Sequence, residues 1–366
     1  MIATGYLTTS QITPTPTGTS DLPKYIEHTA HQLGARYAPD HDAVRSNLNA
    51  DDWSVKSYLG TYFPRTVFEF KTIIGEMLDH PRIQGSLKKT RPLRILDLGS
   101  GTGGAWIGLA LAVEQAQVAA SLSIEAIDGN AMALAVQKSF AQAITTATGL
   151  PIDLNTQQIT LGTTRKEFVD DLSTALSALV GKFDVVLVSK HLSEFYENNL
   201  HASPGIIRDA LKLLSGVLTK EGFLVVLDLT TQTKGSGTFF PITMARETAS
   251  YLRNAREGVR PVLPVPCAMH MASNCAGTGS CYTQRRLSFC HGLALPGSLR
   301  TEITKITYLV FTPNGHAEQI CSTYPTGVAY GVNANKPIVA CKAGRIVDAP
   351  GCVSGYKPLV FMKAVA

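Results

Sequence analysis

Apolar residues recur at helical spacing through the stretch that ends near position 87, as at Tyr58, Tyr62, Val67, Phe70, Ile73, Ile74 and Met77. This predicts a helical lead-in over residues 21–90. At Leu93 the pattern changes. LRILDLG, SIEAID, FDVVLV and GFLVVLDL are short apolar runs, and between them residues 105–117, 131–148, 166–180 and 205–218 each carry one apolar face. Buried strands alternating with amphipathic helices predict the α/β class, a Rossmann-like, doubly wound and mostly parallel sheet over residues 91–260. Beyond residue 260 the rhythm breaks. Residues 261–300 are dense in Cys, Gly, Pro and Arg without a clear period, and read as an insertion held by something other than a core. TKITYLVFT is then strongly β-prone, and with VACKAG and PLVFMKAV it predicts that residues 301–366 supply C-terminal strands completing the sheet. Residues 1–20, rich in Thr, Ser and Pro and without Lys or Arg, predict a mobile arm.

Composition narrows the class. With 366 residues, 45% hydrophobic and 17% charged, the chain can bury a full core, which excludes a disordered tail or a disulfide-stapled mini-protein. No run of eighteen apolar residues occurs and the mean hydropathy is +0.08, so a soluble, cytoplasmic protein without a membrane span is expected. A mitochondrial leader would be Arg-rich and amphipathic, and the first residues are not. The net charge of +5 is small, but it is unevenly placed. Arg246, Arg253, Arg256, Arg260, Arg285, Arg286 and Arg300 face only Glu247 and Glu257 within their stretch, which therefore carries as much net charge as the whole chain. The cluster reads either as a solvated face or as a contact for RNA phosphates.

Candidate chemistry centres first on Asp97-Leu98-Gly99-Ser100-Gly101-Thr102-Gly103-Gly104, where the first predicted strand gives way to a helix. Small residues there admit a ligand to the backbone, and the helix start offers unpaired N–H groups. Gly99, Gly101 and Gly104 also satisfy the dinucleotide pattern G-x-G-x-x-G. Asp97 separates the two readings. A carboxylate at the strand end repels a pyrophosphate and suits the ammonium and sulfonium of S-adenosylmethionine. Asp128, at the tip of SIEAID, is placed to accept from ribose hydroxyls.

The Asp97 to Gly103 run and the second-strand acid resemble the class I S-adenosylmethionine-dependent methyltransferases over roughly residues 93–229. The resemblance implies that Asp97, Gly99, Gly101, Gly103 and Asp128 bind the methyl donor. It also implies that the end of FDVVLVS faces the transfer position, with His191 as a candidate base and Ser189 and Glu194 as groups that orient an acceptor. The bland alternative is that Ser193 and Glu194 open a helix while His191 packs.

Cys267, Cys275, Cys281 and Cys290 fall within twenty-four residues, among glycines and arginines, and four thiolates so grouped suit zinc or an iron–sulfur cluster. No C-x-x-C pair occurs, His270 and His291 stand nearby as substitute or supporting donors, and ordinary buried thiols are the alternative. YLGTYFPR at 58–65, Leu192-Ser193-Glu194, Pro266-Cys267 with Phe289-Cys290-His291, and ITYLVF at 306–311 together resemble the mitochondrial small-ribosomal-subunit methyltransferase-like family and its bacterial relatives. That resemblance implies a four-iron four-sulfur cluster on Cys267, Cys290, Cys341 and either Cys281 or Cys275, with Cys281 favoured, and a role on or with small-subunit ribosomal RNA. It also allows a mitochondrial location. The sequence departs from the family at Ala268-Met269-His270 and at Asp228-Leu229-Thr230-Thr231. Two other functions therefore stand beside the ribosomal methyltransferase: a non-catalytic RNA-binding assembly factor, and a methyltransferase of a small molecule or peptide.

Overall fold

The computed structural model describes residues 20–39, 51–198, 205–230, 239–254, 258–265, 267–268, 271, 283–295, 298–324, 332–333 and 336–337. The predicted arm at 1–20, apart from Ser20, and Arg256, His270, Cys275, Cys281, Cys341, VACKAG and PLVFMKAV lie outside them.

Among the described residues four helices precede the sheet: α1 (Lys24–Gln32), α2 (Asp52–Thr61), α3 (Phe63–Leu78) and α4 (Pro81–Leu87). α3 starts with a proline in its first turn, where no amide donor is missed, and buries Phe63, Val67, Phe70, Ile73, Ile74 and Met77. Next come β1 (Leu93–Leu98), α5 (Gly104–Ala116), β2 (Leu122–Asp128), α6 (Ala131–Thr148), β3 (Ile152–Gln158), α7 (Arg165–Ala178) and β4 (Phe183–Ser189). The short α8 (Glu194–Asn198) and α9 (Ile206–Ser215) lead to β5 (Leu218–Leu229). The chain continues through α10 (Phe240–Asn254), β6 (Val259–Leu263), β7 (Gln284–Leu295), β8 (Ser298–Pro313) and α11 (Asn314–Cys321).

The sheet order is β3-β2-β1-β4-β5-β8-β6, with β7 paired to β8 off this path. β1, β2, β3, β4 and β5 are mutually parallel, and β8 runs antiparallel to β5, β6 and β7. The fold is thus a Rossmann-like mixed sheet flanked by helices, and the order reverses beside β1, which puts a crevice at its carboxyl end. β1 and β4 are buried almost throughout, as strands covered by helices on both faces must be.

Three described strands of the sheet depart from the sequence expectation, among them β6, which runs into the segment read as having no period. β3 is a polar edge strand, IDLNTQQ, whose residues are all at least partly exposed, so no apolar run announces it. β7 lies inside the segment where no period was found. Its inward positions are Arg285, Leu287, Phe289, His291 and Leu293, an alternation obscured because two of the five are polar. β8 spans sixteen residues because Gln284 to His291 pair with Thr307 to Arg300 at one end while β5 and β6 take the other. Among the described residues no helix is long and apolar enough to cross a membrane.

Candidate functional site

The turn after β1 is held by β2 and α6. Gly99, Gly101 and Gly103 have φ of +67°, +50° and +86°, left-handed values that an L side chain resists. From β2, the Ile127 carbonyl accepts from the amides of Gly99 and Ser100 at 2.9 and 3.0 Å. Asp128 accepts from Gly101 N and from Asn130 N, both at 2.8 Å. From α6, Gln137 Nε2 donates to Ser100 Oγ at 2.9 Å and to the Gly101 carbonyl at 2.7 Å, while its Oε1 accepts from Trp106 Nε1 at 2.8 Å. The turn is therefore shaped before any ligand arrives.

Asp97 lies beneath it, fully buried, with Oδ2 accepting from Trp106 N at 3.3 Å and Oδ1 without a partner. Burial pushes its carboxyl up to about 8, with the Trp106 amide opposing the rise and the charge of Asp128 adding to it. Burial raises Asp128 as well, against the pull of the two amides it accepts from. An orphaned buried oxygen costs free energy unless something donates to it. A ligand ammonium supplies both the donor and the missing charge.

Across the turn stands the segment after β4. His191 packs over the backbone of Gly99, where a Cβ would approach its Cβ and Cγ at 3.2 Å, and its ring meets Phe195 edge-on at 5.5 Å and Phe168 at 6.3 Å. Burial pushes its pKa down to about 4, so the ring is neutral at pH 7. Glu194 Oε2 is 3.7 Å from His191 Nδ1 and half its side chain is exposed. Ser189 ends β4, partly exposed, and Asp228 fastens this segment by accepting from Ser193 N at 3.0 Å. Ser189, His191 and Glu194 thus come together beside Asp97, Gly99, Gly101, Gly103 and Asp128.

The lead-in helices form the opposite wall. The Tyr58 phenol of α2 is held well above its ordinary range by burial and by the carboxylates of Asp128, Glu194 and Glu69. Lys190 has a left-handed φ of +51°, and its Nζ lies 2.7 Å from Glu69 Oε2 and 3.0 Å from Thr66 Oγ1 on α3. Glu69 is fully buried and also accepts from Thr304 Oγ1 of β8 at 2.5 Å. Sequence reasoning missed Gln137, Trp106, Thr66, Glu69 and Lys190. Lys190 had one signal, its place directly after Ser189; the others lie on helices read only for their apolar face.

Of the expected metal ligands, Cys267 and Cys290 lie among the described residues, and both are thiols rather than halves of a disulfide. Cys290 donates its amide to Asp21 Oδ2 at 2.7 Å, has Sγ 3.1 Å from Thr301 Oγ1, and pairs with Thr301 across β7 and β8. Cys267 follows β6, whose Leu263 pairs with Val310. Among the described residues no three His, Cys, Asp or Glu side chains group as a metal requires.

The arginine stretch is likewise divided. Arg285 is buried and ion-paired with Glu76, which withdraws it from any phosphate. Arg300 lies over the Tyr37 ring at 4.2 Å and pairs with Glu302 at 3.0 Å, while Arg286 is partly buried. Arg246, Arg253 and Arg260 are exposed.

No family model matches the chain, and no curated protein is similar to it at a significant level. Solved structures similar to it include the plantazolicin methyltransferase BpumL in complex with SAH, at 14% identity, covering 78% of this chain and 98% of that one, with a TM-score of 0.38. Magnesium protoporphyrin IX methyltransferase (ChlM) from Synechocystis PCC 6803 with bound SAM is similar at 13% identity, over 80% and 99% of the two chains, with a TM-score of 0.34. Precorrin-6y C5,15-methyltransferase from Geobacter metallireducens GS-15 is similar at 12% identity, over 66% and 87%, with a TM-score of 0.33. The fold assignment rests on the strand order and registers of this chain.

Proposed function

We propose that the protein is an S-adenosylmethionine-dependent methyltransferase whose acceptor is a small molecule or peptide that is neutral or cationic. The observation that carries the donor is Asp97, whose unpartnered buried oxygen lies under a left-handed glycine turn tied to Asp128. The open face of Gly101, where an added Cβ would meet no atom within 4 Å, leaves room for a ligand against the backbone. Asp97 would take the ammonium and Asp128 the ribose hydroxyls, for which it has acceptor capacity beyond its two amides.

When bound, the donor supplies a methyl on a sulfonium whose S–C bond breaks with its electron pair to sulfur as the acceptor's lone pair forms the new bond. The protein's part is placement and shielding. His191 acts as a wall rather than a base, since a ring with a pKa near 4 draws few protons at pH 7. Glu194, half exposed and beside it, receives the acceptor's proton, and Ser189 orients the acceptor.

The acceptor class follows from charge. Asp128, Glu194 and Glu69 all act on the Tyr58 phenol at the mouth, with Lys190 neutralising Glu69. A polyanion entering there meets uncompensated carboxylates. The ribosomal reading is supported by the sequence resemblance, the iron–sulfur or zinc centre by that and the grouping of the cysteines, and the assembly-factor alternative by the arginine cluster. Iron, sulfide and zinc analysis of protein purified without oxygen tests the centre.

Calorimetric titration of the full chain should show one-to-one uptake of S-adenosylmethionine and S-adenosylhomocysteine. Asp97→Asn and Asp128→Asn should each weaken it roughly ten- to hundredfold, the worth of a hydrogen bond to a charged group. Heat with a nicotinamide dinucleotide and none with either sulfur nucleoside would overturn the reading. Labelled methyl groups should then enter the small-molecule or peptide pool of an extract rather than its RNA.

A further inference from the structure

We propose that Lys190 is the receptor for the α-carboxylate of the methyl donor, with Glu69 and Thr66 as positioning residues that aim its ammonium. This rests on the donor reading above.

The amino-acid end of S-adenosylmethionine carries both an ammonium and a carboxylate. Asp97 suits the first and repels the second. So do Asp128 and Glu194, while Glu69 is paired with Lys190 and His191 is a neutral ring. Among the described residues of this site Lys190 is the cation, and its setting is built. The side chain is only 12% exposed, its Nζ is ion-paired with Glu69 Oε2 at 2.7 Å, and Thr66 Oγ1 accepts one of the three N–H donors of the ammonium. Glu69 is itself fixed by Thr304.

The position is fixed relative to the glycine turn as well. A Cβ at Gly104 would stand 2.8 Å from Thr66 Cβ, so the threonine that holds Lys190 packs on the first residue of α5, where the turn becomes a helix. Lys190 also directly follows Ser189, and its neighbour His191 covers Gly99. Its ammonium therefore lies beside the threonine that packs on Gly104, where the turn passes into α5. A buried ion pair contributes little net stability, because desolvating both charges offsets their attraction. Its distinctive product here is a cation held in a low-dielectric wall, where it binds an anion more strongly than in water.

The test uses two ligands that differ only in the carboxylate: S-adenosylhomocysteine and its decarboxylated analogue, which keeps the nucleoside, thioether and amine. Calorimetry on the full-length wild-type chain should show the carboxylated compound binding at least tenfold tighter. In Lys190→Met its affinity should fall tenfold or more while that of the analogue stays within twofold, so that the preference collapses. Lys190→Met/Glu69→Gln, which leaves no unpaired buried carboxylate, should show the same collapse with a thermal midpoint close to wild type. Equal loss of both ligands, or an unchanged preference, in the double variant overturns the assignment while leaving the donor reading intact. Wild-type protein that takes up neither compound overturns both.

Discussion

A methyl group added at Gly101 would meet open space, whereas one added at Gly103 would stand 2.5 Å from Trp106 Nε1 and 3.1 Å from Gln137 Cγ. Both positions are left-handed, so alanine at either costs about 1–2 kcal/mol of backbone strain. Gly101→Ala should lose little more stability than that. Its cofactor affinity should nonetheless drop at least roughly tenfold, about 1.4 kcal/mol, because the new methyl occupies the space the ligand needs. Gly103→Ala should lose both, since the methyl also displaces the Trp106–Gln137 hydrogen bond that braces the turn. Thermal midpoints and calorimetry on the two variants separate the effects. Equal behaviour of the pair would show that the open face of Gly101 is not where the ligand lies.

The helices that wall the site are spaced by glycine. On α5, a Cβ at Gly108 would fall 2.5 Å from the Val67 carbonyl oxygen and 2.8 Å from both Lys71 N and Phe70 Cβ, so α5 packs directly on the backbone of α3. Gly108→Ala must push α3 away, at a cost of about 1–3 kcal/mol, and with it Thr66 and Glu69. Gly75, on α3 itself, has nothing within 4 Å of a built Cβ, and Gly75→Ala should stabilise by about 0.5–1 kcal/mol, as expected for a helix interior. Urea unfolding of both variants checks the opposite signs. Nothing in the sequence distinguished these glycines, because a contact between helices forty residues apart leaves no local pattern. What was legible was what depends on local periodicity: LRILDL and FDVVLVS are apolar because both their faces are covered, and Asp97 and Asp128 stand at strand ends where the glycine turn and the end of SIEAID put them. β3 escaped because an edge strand needs no apolar run, and β7 because Arg285 and His291 fill inward positions through partners on other elements, Glu76 and Glu302.

Over the whole molecule, buried titratable groups set the range of pH in which the ligand-free protein is most stable. His80 and His316 join α4 to α11 and the residues after it, through His80 Nε2 with Thr323 Oγ1 at 3.0 Å and His316 Nε2 with Ser86 Oγ at 2.9 Å. Burial holds both below the ordinary 6.5, and holds His191 near 4. Between those values the unfolded chain binds protons that the folded chain refuses, so stability is full above about 6.5 and declines as the pH falls toward 4. Asp97 has the opposite sign. Its folded value near 8 exceeds the ordinary 3.8, so the folded chain keeps a proton that the unfolded chain has lost, and stability declines as the pH rises toward 8. The Asp97 decline runs from about pH 4 to pH 8 and so opposes the histidine gain up to about 6.5; above that the decline alone remains, which predicts a lower urea midpoint at pH 8 than at pH 6.5 and no further Asp97-linked loss beyond about 8. Asp97→Asn has no carboxyl to ionise and should abolish the alkaline decline while keeping the acid one; His80→Gln/His316→Gln should shallow the acid limb and leave the alkaline limb alone. Saturation with the methyl donor should flatten the alkaline limb of the wild-type protein, because the ammonium stabilises the Asp97 carboxylate in the folded state only. If Asp97→Asn declines between pH 6.5 and pH 8 as steeply as wild type, the buried carboxyl under the turn is not the group that limits the fold there.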